Sequence, residues 1–252
     1  MLKTIKAVFA ATLLSAATPA IALDLNAMTP LEKEQFGHQV RAYLLENPEV
    51  LVEVFSALEQ RQQVAELQED VTLLAAYMGE IQNDGYSWVG GNPDGDITLV
   101  EFIDYKCGYC RKAHKEVANL VKTDGNIRFI VKEYPILGED SYNLSRAAIA
   151  TLQSLGPDAY KKMYDQFIKH NGPVTDKAIK FLAGKVGLDG DIIVAQLKQA
   201  SVDEQIRKTR MLGENLNITG TPAFIFNDQI IRGYIPGDAM EQIVAELRSQ
   251  AQ

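Results

Sequence analysis

The chain has 252 residues and a formal net charge of −8, from 25 lysines and arginines against 33 aspartates and glutamates. An acidic surface repels phosphate backbones, so no nucleic acid is expected among its partners. With only two cysteines, the chain is not a small exported scaffold stapled by several disulfides.

In chain order, Lys3 and Lys6 precede an apolar run from Ala7 to Leu14, and Ala20-Ile21-Ala22 matches a small-x-small cleavage site. Residues 1–22 therefore read as a secretory signal peptide, the run being too short to span a bilayer. The first cysteine is Cys107, so a lipid anchor on a cysteine near the cleavage site is excluded. Loss of the two lysines takes the net charge from −8 to −10. No later segment is long and apolar enough to cross a membrane.

Residues 23–85 read as a helical region. Thr29-Pro30-Leu31-Glu32 is a capping box with proline at the first helical position. Phe36, Val40, Tyr43 and Leu44 follow at helical spacing. Asn47-Pro48 ends that helix and starts a second, running to about Gln82. In it Val64, Leu67, Val71, Leu74, Met78 and Ile81 alternate steps of three and four, the 3.5-residue period of a coiled-coil seam. Leu73 and Tyr77 blur the seam. It is either a homo-oligomer contact within residues 48–82 or the face of an amphipathic helix lying on its own domain. The turn-rich stretch Gly90 to Gly95 then reads as a linker, and a compact domain is expected over residues 91–252.

In that domain Ile97–Ile103 is a β-rich run interrupted by Glu101, and Ile127–Glu133 is a second strand closed by Pro135. From Ser141 to about Leu216 the pattern is helical, broken at Gly156-Pro157, Asn171 to Pro173 and Gly187 to Gly190. Strands are expected at Ala223–Phe226 and Gln229–Arg232, and Asp238 caps a last amphipathic helix. The order strand, helix, strand, helical block, strand pair, helix makes this an α/β protein.

The chemistry centres on Cys107-Gly108-Tyr109-Cys110, between the first strand and a helix through Val121. The thiolate is the form that attacks disulfides, and the N-terminus of a helix favours it. Cys107 is expected there as the exposed nucleophile. Cys110, one turn on, attacks the mixed disulfide and releases the product. Zinc needs four ligands, and neither the cysteine pair nor His38, His114 and His170 supply the spacing. A structural disulfide across so small a loop would constrain little. No cofactor and no resident metal are called for. Thr221-Pro222 precedes a strand; a cis bond there would leave the Thr221 backbone open to a substrate chain. Glu101, flanked by Val100 and Phe102, reads as a buried carboxylate that exchanges the Cys110 proton. His114 reads as a solvated helix residue, and Lys132 and Arg232 as surface charges or neighbours of the thiolate. Gly108 and Tyr109 sit where they would tune the redox potential.

Three segments, GNPDGDITLVEF, VEFIDYKCGYCRKAHKEV and ITGTPAFIFNDQIIRGYIPG, resemble the DsbA family of thioredoxin-fold proteins from about Gly91 to Gln252. RAYLLENPEVLVEVFSALEQRQ resembles the helical extension of its periplasmic ScsC-like and Com1-like members. The resemblance implies a thioredoxin fold with an inserted helical domain at about 141–216. It also implies Cys107 as nucleophile, Cys110 as resolving cysteine, Pro222 as the cis-proline, Glu101 as the family's buried acid, and a bacterial periplasmic home. The best-known oxidases carry a proline–histidine dipeptide where this chain has Gly108-Tyr109. A threonine before the proline is more typical of isomerases, which tend to oligomerise through an N-terminal extension. The expected activity is disulfide formation or isomerisation in exported cysteine-containing proteins, with a membrane redox partner, Thr221 and Tyr109 meeting the substrate. The alternative is a copper(I)-handling or holdase protein using the same two thiols.

Overall fold

The structure, a computed structural model, describes residues 27–250, so the expected signal peptide lies outside the described residues. The chain divides into two compact units between Gln62 and Gln63. The first unit contains α1 (Pro30–Glu46) and the start of α2 (Glu49–Gln82). The capping box is present: Thr29 Oγ1 accepts from Glu32 N, and Glu32 Oε2 accepts from Thr29 N at 2.7 Å. No residue of α1 is buried, and Phe36, Val40 and Tyr43 stand exposed.

The second unit begins inside α2, not at the expected boundary of 85–91. It continues through β1 (Trp88–Gly91), β2 (Ile97–Ile103), α3 (Gly108–Asp124) and β3 (Ile127–Glu133). Helices α4 (Glu139–Leu155), α5 (Pro157–Phe167), α6 (Asp176–Lys185), α7 (Gly190–Gln196) and α8 (Ala200–Asn215) follow. The chain closes with β4 (Ala223–Phe226), β5 (Gln229–Arg232) and α9 (Gly237–Gln250). The expected strands coincide with β2 to β5, and the helical block lies between β3 and β4 as α4 to α8. The α7–α8 break at Lys198-Gln199 carries no glycine or proline to signal it in the sequence.

The expected linker at 90–95 is partly strand. Its glycines serve close packing: at Gly91, with φ +68°, a Cβ would meet the Ile127 carbonyl at 2.3 Å, and at Gly95 the Asn126 carbonyl at 2.5 Å. β1 therefore pairs antiparallel with β3. The sheet order is β1-β3-β2-β4-β5, with β2 and β3 parallel and β2–β4 and β4–β5 antiparallel.

Both faces of this sheet are covered, so all seven residues of β2 are buried. Leu99, Ile103, Phe129 and Val131 meet α3, α9 and the helical block. Val100, Phe102, Ile130 and Ile225 meet Leu74 and Ile81 of α2 and Leu212 of α8. The α2 seam is thereby divided. Leu74 and Ile81 are buried in their own unit, with Leu73, Tyr77 and Met78 packed beside them, whereas Val64, Leu67 and Val71 remain exposed. Leu73 and Tyr77 blur the heptad because this part of the helix presents a wider, globular face.

Lys132, expected at the surface or by the thiolate, does neither. It projects from β3 to the α2 face, where Nζ donates to Asp84 Oδ2 at 2.5 Å and to the Glu80 carbonyl at 2.8 Å. Both side chains are nearly inaccessible, at 0% and 6% exposure. Burial pushes the Lys132 ammonium down. Burial alone would raise the Asp84 carboxyl; the charge and hydrogen bond of Lys132 outweigh it and hold the carboxyl below its ordinary range. Breaking one side of such a pair strands the other charge. Lys132→Met is expected to destabilise the fold by about 3–5 kcal/mol, and adding Asp84→Leu to recover much of it. Urea unfolding of the single and double variants measures both.

Candidate active site

β2 ends at Ile103, and Asp104 shapes the loop that follows. Its buried carboxylate accepts from Lys106 N (2.8 Å), Ser141 Oγ (2.7 Å), Ile136 N (2.8 Å) and Leu137 N (3.0 Å). The turn places Cys107 as the N-cap of α3 with extended backbone, φ −73° and ψ 122°. Cys107 is more enclosed than expected, at 7% exposure, and Cys110 is fully buried one turn behind it. The space beside Gly108 is open, and Tyr109 is well exposed. The Tyr109 ring stacks on Tyr234 at 5.9 Å, over which Lys112 Nζ sits at 4.2 Å.

The Thr221–Pro222 peptide is cis. The Thr221 carbonyl accepts from Cys107 Sγ at 3.1 Å, so the backbone expected to be free for a substrate engages the thiol in this reduced state. That bond favours the thiol, but other groups favour the thiolate more. The Cys110 thiol beside it holds Cys107 down to about 5 against the opposing effect of burial, helped by the Thr221 hydroxyl and the backbone N–H groups of Cys110 and Tyr109. Burial pushes the Cys110 thiol far up, as do Cys107 and Glu101 beside it.

Glu101 is fully buried on the α3 side of the sheet. Oε2 accepts from Tyr164 Oη at 3.3 Å, and Oε1 has no partner among the described residues. Burial pushes its carboxyl up to about 8. His114 is not solvated as expected: it is 8% exposed, with Nε2 3.1 Å from Asp165 Oδ1 and its ring 5.0 Å from Tyr164. Arg232 lies at the surface, the first of its two expected placements, where it pairs with Asp70 at 2.6 Å. The structure therefore brings together Cys107, Cys110, Glu101, Thr221, Pro222 and Tyr109, and leaves Lys132 and Arg232 outside.

A second buried carboxylate was missed. Glu133 ends β3, and its Oε1 accepts from Tyr105 Oη at 2.7 Å and Tyr160 Oη at 2.6 Å. Tyr105, Tyr160 and Tyr164 form a buried aromatic cluster between the two acids. Spacing gave a partial signal: Glu133 ends a strand whose other inward residues are apolar. The tyrosines that donate to it lie in the loop before α3 (Tyr105) and on α5 (Tyr160), both too far along the chain for any local pattern to connect.

Comparison with known proteins places these features. The Copper resistance protein ScsC N-terminal domain matches residues 32–65. A thioredoxin-like oxidoreductase structure from Silicibacter pomeroyi is 33% identical, covers 68% of this chain and 97% of that one, and has a TM-score of 0.62. Proteus mirabilis ScsC in a transitional conformation is 25% identical over 89% of this chain and 99% of that one, at a TM-score of 0.64. Disulfide bond formation protein D of Bacillus subtilis is 23% identical, over 61% of this chain and 73% of that one. The chain spans about a quarter of another curated relative, the Na(+)/H(+) antiporter NhaA 1 of Salinispora arenicola. The DSBA-like thioredoxin domain matches residues 98–248, more than half of the sequence, and the chain belongs to that family.

Proposed function

We propose that the protein catalyses thiol–disulfide exchange on exported cysteine-containing proteins, with Cys107 as nucleophile and Cys110 as resolving cysteine. The observation that carries this reading is the inequality of the two sulfurs: Cys107 is held at a helix start as a stabilised thiolate, and Cys110 lies buried behind it as a neutral thiol.

In the reducing direction, Cys107 Sγ⁻ attacks a client disulfide and expels one client sulfur as thiolate. Cys110 then gives its proton to Glu101, attacks Cys107 Sγ and expels the second client thiolate, leaving the Cys107–Cys110 disulfide. In the oxidising direction a client thiolate attacks Cys107, and Cys110 leaves, taking a proton from Glu101. A second client thiolate then displaces Cys107, a good leaving group because its thiolate is stabilised. Stopping after the first attack and letting client thiols rearrange gives isomerisation.

Thr221 and Pro222 flank Cys107 on the side a client backbone approaches, and Gly108 leaves that approach open. Tyr109 offers an exposed ring for the client's apolar side chains. The leader read in residues 1–22 and the need of disulfides for an oxidising compartment support a periplasmic setting for this chemistry. A membrane redox partner would reset the pair. Exposed Val64, Leu67 and Val71, at the 3.5-residue spacing, suit a second copy of this chain as their cover, which narrows the homo-oligomer contact expected within residues 48–82 to the part before Leu73.

Cys107→Ser is expected to reduce catalysed insulin reduction to the uncatalysed rate, and Cys110→Ser to trap client mixed disulfides, seen on non-reducing gels. Stoichiometric copper(I) uptake by an enzyme with no such activity would replace this reading with metal handling. Because folding lowers the Cys107 pKa from an ordinary 9.0 to about 5, the folded protein carries a thiolate at pH 7 where the unfolded chain carries a thiol. Iodoacetamide alkylation of Cys107 should hold a plateau above pH 6 and fall about tenfold per unit as pH drops below 5. Sedimentation velocity should show an oligomer that Val64→Asp with Leu67→Asp converts to a smaller species.

A further inference from the structure

Glu133 has no part in the exchange described above, yet it is 3% exposed on the same face of the sheet as Glu101. The β2–β3 register puts it there. Glu101 lies opposite Val131 and Ile103 opposite Glu133, so the two acids share a face, two residues apart on neighbouring parallel strands. The groups facing Glu133 come from every surrounding element. They are Tyr105 and Asp104 from the loop before α3, Tyr160 and Tyr164 from α5, Ser145 from α4, and Glu101 from β2, through which the cysteine pair is reached.

Among the described residues none of these is a lysine or arginine. Lys132, next in sequence, points to the opposite face and is occupied by Asp84. His114 lies beyond Tyr164 and is engaged by Asp165.

Two polar atoms complete the picture. Glu133 Oε2 and Ser145 Oγ are both buried, and the serine hydroxyl beside the carboxyl is the one group that favours charge on that side of it. A carboxylate that fills one oxygen with two tyrosine hydroxyls and leaves the other to a single serine is better prepared for charge on one side than on the other. Stacked rings continue from Tyr160 to Tyr164 at 6.1 Å, and Tyr164 Oη reaches Glu101. A low-dielectric cavity without a cation cannot hold both acids ionised beside a thiolate.

We propose that Glu133 is a positioning residue for the exchange: its charge and that of Glu101 are coupled electrostatically across the tyrosine cluster, so that the state of Glu133 sets when Glu101 is free to take the proton of Cys110. This rests on the role given to Glu101 above. Removing the Glu133 charge removes a repulsion from the Glu101 carboxylate, which then accepts the Cys110 proton at lower pH.

The test uses the reduced full chain and a symmetrical aromatic disulfide that releases one coloured thiolate per step. The first burst reports attack by Cys107 and the second reports attack by Cys110 on the mixed disulfide. In the native protein the second burst grows as pH rises through about 8. Glu133→Gln keeps an acceptor for both tyrosines and aims an N–H at Ser145 Oγ. It should move that midpoint down by about one unit and leave the first burst unchanged.

An unmoved midpoint in a variant with native near-ultraviolet circular dichroism overturns the proposal. Tyr160→Phe is the second variant, for use if Glu133→Gln does not fold. It removes one donor from Glu133 but keeps the ring stacked, disfavours the charged carboxylate, and should move the midpoint the same way by less; no movement again overturns the proposal. Glu101→Gln separates the layers: a second burst with native pH dependence in that variant would mean Glu101 is not the proton acceptor. Absence of the first burst in the native protein would sink the exchange reaction itself.

Discussion

Because β2 is covered on both faces, its side chains are sorted by alternation alone, and the site depends on that sorting. Glu101 falls with Leu99 and Ile103 on the side of α3. Slipping the register by one residue would send it to the α2 face and bring Val100 or Phe102 behind the cysteines. The same alternation on β3 sends Glu133 toward the cysteines and Lys132 away from them. Two adjacent residues of opposite charge are thus separated by the sheet itself.

That separation defines the electrostatic character of the cavity. Cys107 is stabilised as an anion chiefly by short-range hydrogen-bond donors at the start of a helix. The carboxyls behind it answer mainly to burial and to tyrosine hydroxyls. In such surroundings protons substitute for counter-ions. Charge moves by relocating hydrogen, which suits a reaction whose intermediate needs one thiol to be activated only after the other has reacted.

Local patterns in the sequence reveal β2 to β5 almost residue for residue, since each is a short apolar run, but not β1, whose glycines read as a linker. They also place the cysteine pair at a helix start and mark Glu101 by its apolar neighbours. They fail where the deciding partner is distant in sequence. Lys132 is unreadable without Asp84, 48 residues away, His114 without Asp165, and Glu133 without Tyr160. The α2 seam fails differently. One periodic stripe serves two ends: Leu74 and Ile81 pack on the unit's own sheet, and Val64 and Val71 stay exposed. Periodicity reports that a face is apolar but not what covers it. The run of glycines from Gly90 misleads because close backbone approach and flexibility select the same residue.

Asp104 ties together segments that the chain order keeps apart. One carboxylate collects donors from the turn before the nucleophile, from the bend after β3 and from the first turn of α4. The entrance to the inserted helices and the seat of the reactive sulfur are therefore a single mechanical part. The outer helices of the insertion can diverge in length and surface while this hub fixes their root. Any drift in how α4 enters would be felt directly as a change in the aim of the sulfur.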